Sequence, residues 1–151
     1  MSPILNYTTT ISVQKTAGEI QEILASAGVQ KVMIDYGPDR IPDAISFQVE
    51  IRGNLAAFRL PSRWQGVWKS LNDSTAEKRY KSEEQARRVA WRIIKDWCEA
   101  QLAIIEAGAA ELTEVFLPYL VSPQSGRTLF EEFKSGNLLP PGDIAEGQVR
   151  E

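Results

Sequence analysis

The clearest hydrophobic pattern in the chain lies at residues 45–51, where apolar and polar side chains alternate strictly (ISFQVEI). Alternation with a period of two predicts a half-buried β-strand. Gly53 and Asn54 follow as a turn signal, although their order is the reverse of the favoured Asn-Gly pair. The apolar segment 55–60 then completes a predicted β-hairpin, which ends at Pro61.

Two further strands and a helix are predicted before this hairpin. Residues 4–13 are rich in Tyr, Thr, Ile and Val, and residues 31–36 (KVMIDY) are mostly apolar, so both segments favour strands. Between them, Thr16 and Glu19 have the spacing of a capping box, and Gly28 suits a helix stop, which predicts a helix. The first sixty residues therefore predict the order β-α-β-β-β.

The second half of the chain is predicted to be helical. Residues 64–68 (WQGVW) favour a short helical turn. A second capping box at Ser82 and Gln85 begins a long amphipathic helix that runs to about Ala107. Two shorter helices are predicted near residues 111–119 and 128–134.

These patterns together predict an α+β fold, with a four-stranded and mostly antiparallel sheet packed against a long helix and a helical C-terminal part. The predicted domain spans residues 1–136. Residues 137–151 contain Pro140-Pro141-Gly142 and few apolar residues, so we expect a flexible tail there.

The residue types that are missing or rare exclude several kinds of chemistry. The chain of 151 residues has no histidine and a single cysteine, Cys98. This composition excludes Ser-His-Asp and Cys-His catalytic sites, an internal disulfide and multi-cysteine metal sites. No segment has the spacing of a glycine-rich phosphate loop. We therefore predict neither a catalytic site nor a bound cofactor or metal.

The sequence also indicates where the protein acts. No apolar run reaches the length needed to span a bilayer, and residues 1–7 lack the basic start of a signal peptide. The only thiol has no partner for a disulfide. We therefore expect a location in the cytoplasm and no association with a membrane.

Charge is distributed unevenly, although the net charge of the chain is only −3. Residues 1–58 have a net charge of −2, residues 59–95 a net charge of +6, and residues 96–151 a net charge of −7. Ten of the seventeen lysines and arginines lie in the middle segment. Such a concentration of positive charge favours an anionic partner.

The basic segment is also rich in aromatic residues, a combination that suits nucleic acid. Cations release counterions from phosphates, and aromatic faces stack on exposed bases. On the long helix, Arg88, Arg92 and Lys95 follow one another at i, i+4 and i+7, which predicts one stripe on one face. The predicted contact residues for nucleic acid or another anionic partner are Arg63, Trp64, Trp68, Arg79, Tyr80, Arg87, Arg88, Trp91, Arg92 and Lys95.

Two other interpretations of the charges stay open at this point. The basic face of an amphipathic helix is often only its solvated side, or pairs with carboxylates in the same fold or across a homodimer. The acidic C-terminal third, in turn, suits a basic groove of a partner protein. Its exposed carboxylates are commonly there to keep helices soluble.

Three carboxylates form a weak match to a nuclease pattern. Asp43 followed by Glu50 and Arg52 resembles the PD-(D/E)xK arrangement, and Asp35 ends a neighbouring predicted strand. Arginine is a poor replacement for the lysine of that pattern because its pKa is too high for proton transfer. A metal-dependent nuclease is therefore the lowest-ranked hypothesis.

The segment Arg79–Gly108 (RYKSEEQARRVAWRIIKDWCEAQLAIIEAG) resembles a group of small phage and prophage proteins of similar length, whose function is not assigned. Residues 6–24, 58–61 and 115–121 resemble the same group. The resemblance brings no catalytic residues. It implies a phage origin and action in the cytoplasm of the bacterial host.

The first hypothesis is therefore a phage-encoded, non-enzymatic binding protein that contacts a nucleoprotein target. It would hinder or modulate a host or defence nucleic-acid enzyme, as inhibitors of CRISPR effectors do. The second hypothesis is a protein of phage replication that binds single- or double-stranded nucleic acid directly. The expected partners are a host or defence protein, nucleic acid, or both.

Overall fold

The computed structural model describes residues 1–136, and within them the chain forms an α+β fold with a three-stranded antiparallel sheet. The strands are β1 (Lys31–Tyr36), β2 (Pro42–Ile51) and β3 (Asn54–Pro61), in the order β1-β2-β3. Phe47 pairs with Phe58 across the hairpin, which confirms the alternation read from the sequence. Gly53 has a φ of +78° in the connecting turn, where glycine is strain-free.

Five helices accompany the sheet within the described residues. Ser82 begins the longest of them, since its hydroxyl accepts a hydrogen bond from the Gln85 backbone N–H at 3.0 Å. The predicted tail at residues 137–151 lies outside the described residues. The helices are α1 (Val13–Ser26), α2 (Trp64–Asn72), α3 (Glu83–Glu106), α4 (Leu112–Phe116) and α5 (Leu129–Lys134), with 3₁₀ turns at Lys78–Tyr80 and Leu117–Tyr119.

The predicted first strand, and with it the fourth strand of the sheet, is wrong. The N-terminal segment forms turns and extended chain before α1 begins. The Gln85 side-chain amide donates to the backbone oxygens of Tyr7 at 2.8 Å and Thr9 at 2.9 Å. These carbonyls thus find a partner on α3 rather than on a neighbouring strand.

The predicted capping box at Thr16 and Glu19 is also wrong. Ser12 is the N-cap of α1, and its hydroxyl accepts from the Lys15 backbone N–H at 3.1 Å. Thr16 lies one turn inside the helix and is fully buried. Gly28, with a φ of +93°, follows the end of the helix as predicted.

The core lies between one face of the sheet and the two long helices. Phe47 and Phe58 stack at 5.2 Å between ring centroids, and Phe116 closes edge-on over Phe47 at 5.2 Å. A second, smaller cluster around Leu71 and Val89 joins α2 to α3. The opposite face of the sheet is more polar and includes the ion pair between Arg59 and Asp35 at 3.2 Å.

The two edge strands of the sheet, β3 and β1, differ in how far other segments cover them. Val121 donates a backbone hydrogen bond of 2.8 Å to the Ala57 oxygen, so a short segment covers part of the β3 edge. At β1 the register shifts between Asp35 and Tyr36, which is a bulge-like irregularity. Within residues 1–136, no other strand pairs with the free edge of β1.

Helices α1 and α3 run in the same direction across the sheet. Early residues of α1 meet the middle of α3, since Thr16 bonds to Arg92, and late residues meet its last turns, since Ser26 and Glu99 line one groove. Both C-terminal ends therefore lie at the same end of the molecule. No helix in the described part of the chain is long and apolar enough to cross a membrane.

Candidate anionic-partner interface

Half of the predicted contact residues lie on α3 and are engaged inside the fold. This set is called the α3 strip and consists of Arg87, Arg88, Trp91, Arg92 and Lys95.

Arg87 is the most deeply held cation of the α3 strip. Its side chain is 9% exposed and forms ion pairs of 2.9 Å with both Asp39 and Glu83. Its guanidinium also lies 4.2 Å from the ring centroid of Trp64. Two carboxylates and an aromatic face therefore surround this charge, and it joins α3 to the β1–β2 loop and to α2.

Arg92 and Lys95 are likewise paired with carboxylates. Arg92 is 14% exposed and lies 2.7 Å from Glu19 of α1, and Lys95 is 17% exposed and lies 3.0 Å from Glu99. The stripe predicted on one face of α3 does exist, but α1 lies against it. Its charges are largely neutralised by the chain's own glutamates.

Arg88 is the least buried charge of the α3 strip. Its side chain is 26% exposed and lies 3.5 Å from Glu84, while its Nε donates to the Gln85 side-chain oxygen at 2.9 Å. Because Gln85 also holds the N-terminal segment, Arg88 helps to orient that amide.

The tryptophans divide into buried and partly exposed side chains. Trp91 is fully buried and its indole N–H donates to the Pro42 oxygen at 3.3 Å, so its faces are closed to a base. Trp64 and Trp68 lie 5.8 Å apart on α2 and are partly exposed. The Trp68 N–H donates to the Lys81 oxygen at 2.9 Å, which ties α2 to the 3₁₀ turn before α3.

Two exposed cations are adjacent in that 3₁₀ turn, which we call the cationic turn and define as Lys78, Arg79, Tyr80 and Lys81. Lys78 and Arg79 are exposed, and Lys78 has no ion-pair partner among residues 1–136. Arg79 pairs with Glu77 at 3.0 Å, but both side chains are 70% exposed, so this pair neutralises little charge. Its guanidinium lies 4.7 Å from the ring centroid of Tyr80.

Contacts with the end of α2 and with the N-terminal segment hold the cationic turn in place. Lys81 donates to the backbone oxygens of Asn72 at 3.4 Å and Ser74 at 3.0 Å. Tyr80 packs edge-on against Tyr7 at 5.4 Å between ring centroids. Lys81 and Tyr80 thus fix the turn to the end of α2 and to the N-terminal segment.

The neighbouring end of α2 carries a further exposed pair. Lys69 donates to Asp73 at 2.8 Å, and this hydrogen bond lowers the pKa of Asp73 and raises that of Lys69. Lys81 contributes a smaller attraction that also lowers the pKa of Asp73. Asp73 therefore remains charged beside the cationic turn and limits its positive potential on that side.

Two residues of the turn, Lys78 and Lys81, were not among the predicted contact residues. The signal that could have found them is the sequence KRYK itself, with three cations in four residues. Arg63 lies elsewhere, at the N-terminus of α2, where it has a φ of +50° and its guanidinium is 5.8 Å from the ring centroid of Phe130.

The three carboxylates of the nuclease hypothesis do not come together. Asp43 and Glu50 are seven residues apart on β2, about 23 Å at ~3.3 Å per residue, and Asp35 is paired with Arg59. Within the described residues, no group of three His, Cys, Asp or Glu side chains could hold a metal ion.

Cys98 is the remaining group with intrinsic reactivity. It is fully buried, and burial raises the pKa of its thiol to about 12 from an ordinary value of 9.0. The neutral thiol is a poor nucleophile, which fits the interpretation of Cys98 as a small core residue.

Within residues 1–136, the cationic turn thus exposes two cations beside an aromatic ring, whereas a larger set of cations binds the chain's own carboxylates. Comparisons of the chain with protein-family models, with curated proteins and with solved structures return no match.

Proposed function

We propose that this chain is a non-enzymatic binding protein that contacts the nucleic acid of a nucleoprotein target through the cationic turn. The observation that carries the proposal is the exposure of Lys78 and Arg79 beside the ring of Tyr80. Adjacent exposed cations suit a phosphate backbone, and a base would stack on the ring face that Arg79 leaves uncovered.

The partly exposed pair of indoles supports the same surface. The Trp68 N–H is fixed to the backbone of Lys81, so the aromatic pair on α2 adjoins the cationic turn. A single-stranded segment that follows the turn would meet planar side chains next. Stacking on such side chains depends little on sequence, so we propose binding with little sequence preference.

In the phage setting that the resemblance implies, such a contact would hinder or modulate a host or defence enzyme that works on nucleic acid. The α3 strip then acts as scaffold, because its ion pairs hold α1 and the β1–β2 loop against α3, and the contact of Arg87 with the Trp64 ring holds α2. Direct binding to nucleic acid during phage replication would use the same turn.

The test is fluorescence anisotropy with labelled single-stranded DNA, single-stranded RNA and duplex DNA over a range of salt concentrations. We expect affinity for at least one probe to fall steeply with salt. Lys78→Glu with Arg79→Glu should weaken binding by at least about tenfold, or ~1.4 kcal/mol. The matched control is Lys15→Glu with Lys31→Glu, which changes the net charge equally at exposed positions away from the turn.

Equal losses in the two double variants would assign binding to net charge and contradict the proposal. Absence of binding to all three probes would do the same. A pull-down from phage-infected cell lysate, with and without nuclease treatment, then separates the two settings. Loss of a host protein from the pull-down on nuclease treatment indicates a nucleoprotein target.

A further inference from the structure

A groove lies between α1 and α3 at the end of the molecule where both helices finish. We call it the α1–α3 groove. It encloses about 600 Å³, within the range of ~300–1,000 Å³ that is usual for binding pockets. Its apolar lining includes Ile23 of α1, Leu102 and Ile105 of α3, and Leu112 of α4.

Carboxylates form the rim of this groove. Glu99 and Glu106 line it directly. An adjoining depression that shares Ile23 and Glu99 contains Glu22 on its far side, together with Arg92 and Lys95, which are paired with Glu19 and Glu99. Glu22 and Glu106 are exposed, and Glu99 is paired with Lys95 at 3.0 Å. Among its lining residues in the described chain, the groove itself includes no lysine or arginine.

The helix ends add to this negative potential. The C-terminus of an α-helix carries a partial negative charge, which a basic residue in the last turn normally balances. Neither α1 nor α3 has a basic residue in its last turn, and α3 ends with Glu106. A carboxylate at this position is repelled by its own helix end. A bound cation would relieve that repulsion.

We propose that the α1–α3 groove binds a cationic, amphipathic helical segment of a partner protein. The occupant's apolar face would lie on Ile23, Leu102 and Ile105, and its lysines or arginines would meet Glu22 and Glu106. Two parallel helices form a natural seat for a third, and a helix in a hydrophobic groove is a common mode of peptide recognition. The rim would repel an anionic segment.

This surface is distinct from the cationic turn. The turn precedes the N-terminus of α3, and the groove begins at Glu99, about 24 Å along the helix from Glu83 at ~1.5 Å per residue. No residue belongs to both surfaces. Binding at the groove is therefore independent of whether the turn binds nucleic acid.

The experiment measures binding of the full chain to a labelled peptide of about 18 residues, long enough for helix formation, with leucines at i, i+3, i+4 and i+7 and lysines elsewhere. A peptide of the same composition with dispersed leucines tests the apolar stripe. A third peptide with glutamates in place of the lysines tests the rim. We expect the first to bind at least about tenfold more tightly than either of the others.

Two variants test the position of the occupant. Ala103→Trp fills the groove from an exposed position on α3, and Glu106→Lys reverses one rim charge. Each should weaken binding by at least about tenfold, or ~1.4 kcal/mol. The matched controls are Ala25→Trp and Glu50→Lys, which alter exposed residues outside the lining and should change affinity by less than about threefold.

Equal effects in the groove and control variants would overturn the proposal, as would equal binding of the three peptides. Sedimentation of the chain alone tests the other occupant, a second copy. Self-association that Glu106→Lys abolishes would assign the groove to that second copy and would also overturn the proposal.

Discussion

Arg92 of α3 donates a hydrogen bond of 2.7 Å to the Glu19 carboxylate of α1. The same nitrogen donates to the Thr16 hydroxyl at 3.2 Å. These bonds join the two long helices at a point where the arginine is 14% exposed. The pair is therefore a structural bridge at a position where the sequence predicts a contact with an outside anion.

Glu19→Gln should lower the free energy of unfolding by about 1–3 kcal/mol, because a largely buried guanidinium loses its charged partner. Urea unfolding measures the change. Glu22→Gln is the control, since Glu22 is exposed on the same helix, and its unfolding midpoint should stay close to that of the original chain. Equal midpoints for the two variants would contradict the role of the bridge.

Gln85→Glu should destabilise the fold by about 1–3 kcal/mol, because a carboxylate would replace the amide that donates to the Tyr7 and Thr9 oxygens. Hydrogen exchange should also show faster exchange in residues 6–11. Gln14→Glu, at an exposed position in the first turn of α1, is the control. Unchanged exchange in the N-terminal segment would show that other contacts hold it.

Substitutions of Trp91 distinguish a structural role of its indole from a role in binding nucleic acid. Trp91→Ala should cost about 3–5 kcal/mol of stability, since it opens a large cavity, and Trp91→Phe should cost less. The affinity of folded Trp91→Phe for nucleic acid should match that of the original chain, because Trp91 is fully buried. On the same sample, denaturation measures the stability and fluorescence anisotropy measures the affinity for nucleic acid. Unchanged stability with weakened binding would make the indole a contact residue.

The buried thiol of Cys98 should make the free energy of unfolding depend on pH above pH 9. Between pH 9 and about 12 the unfolded thiol ionises while the folded thiol stays protonated, so the unfolded state binds fewer protons. Stability from this group is complete below pH 9 and falls by up to ~1.4 kcal/mol per pH unit above it. The difference in unfolding free energy between the original chain and Cys98→Ala should narrow over this range. A constant difference would contradict the burial of the thiol.

The local patterns of the sequence predict much of the fold. Alternation at residues 45–51 predicts β2 because each side chain responds to its own face of the sheet. Ser82 and Gly108 mark the ends of α3. A helix cap depends on backbone groups within a few residues, so its signal is also local.

Contacts between distant residues account for the errors. Tyr and Thr at residues 4–13 favour a strand, but Gln85, more than seventy residues away, takes up the carbonyls that a strand would use. Ser12 and Thr16 are both suitable caps, and the burial of Thr16 against Arg92 decides between them. Neither contact has a signal within a local window of the sequence.

The predicted contact residues on α3 show the same limit of local sequence patterns. Helical spacing correctly places Arg88, Arg92 and Lys95 on one side of α3, but it carries no information on what covers that side. Arg92→Glu would bring a second carboxylate against Glu19. It is therefore a probe of folding, whereas Lys78→Glu and Arg79→Glu probe the exposed surface.

The two edges of the sheet have a consequence for how the protein behaves at high concentration. Long, flat edge strands recruit further strands and lead to aggregation. Here Leu120 and Val121 occupy part of one edge, and at the other edge the register of β1 with β2 shifts between Asp35 and Tyr36. These two features shorten the stretches at which a further strand could pair, and within the described chain residues 31–35 of β1 remain an open edge.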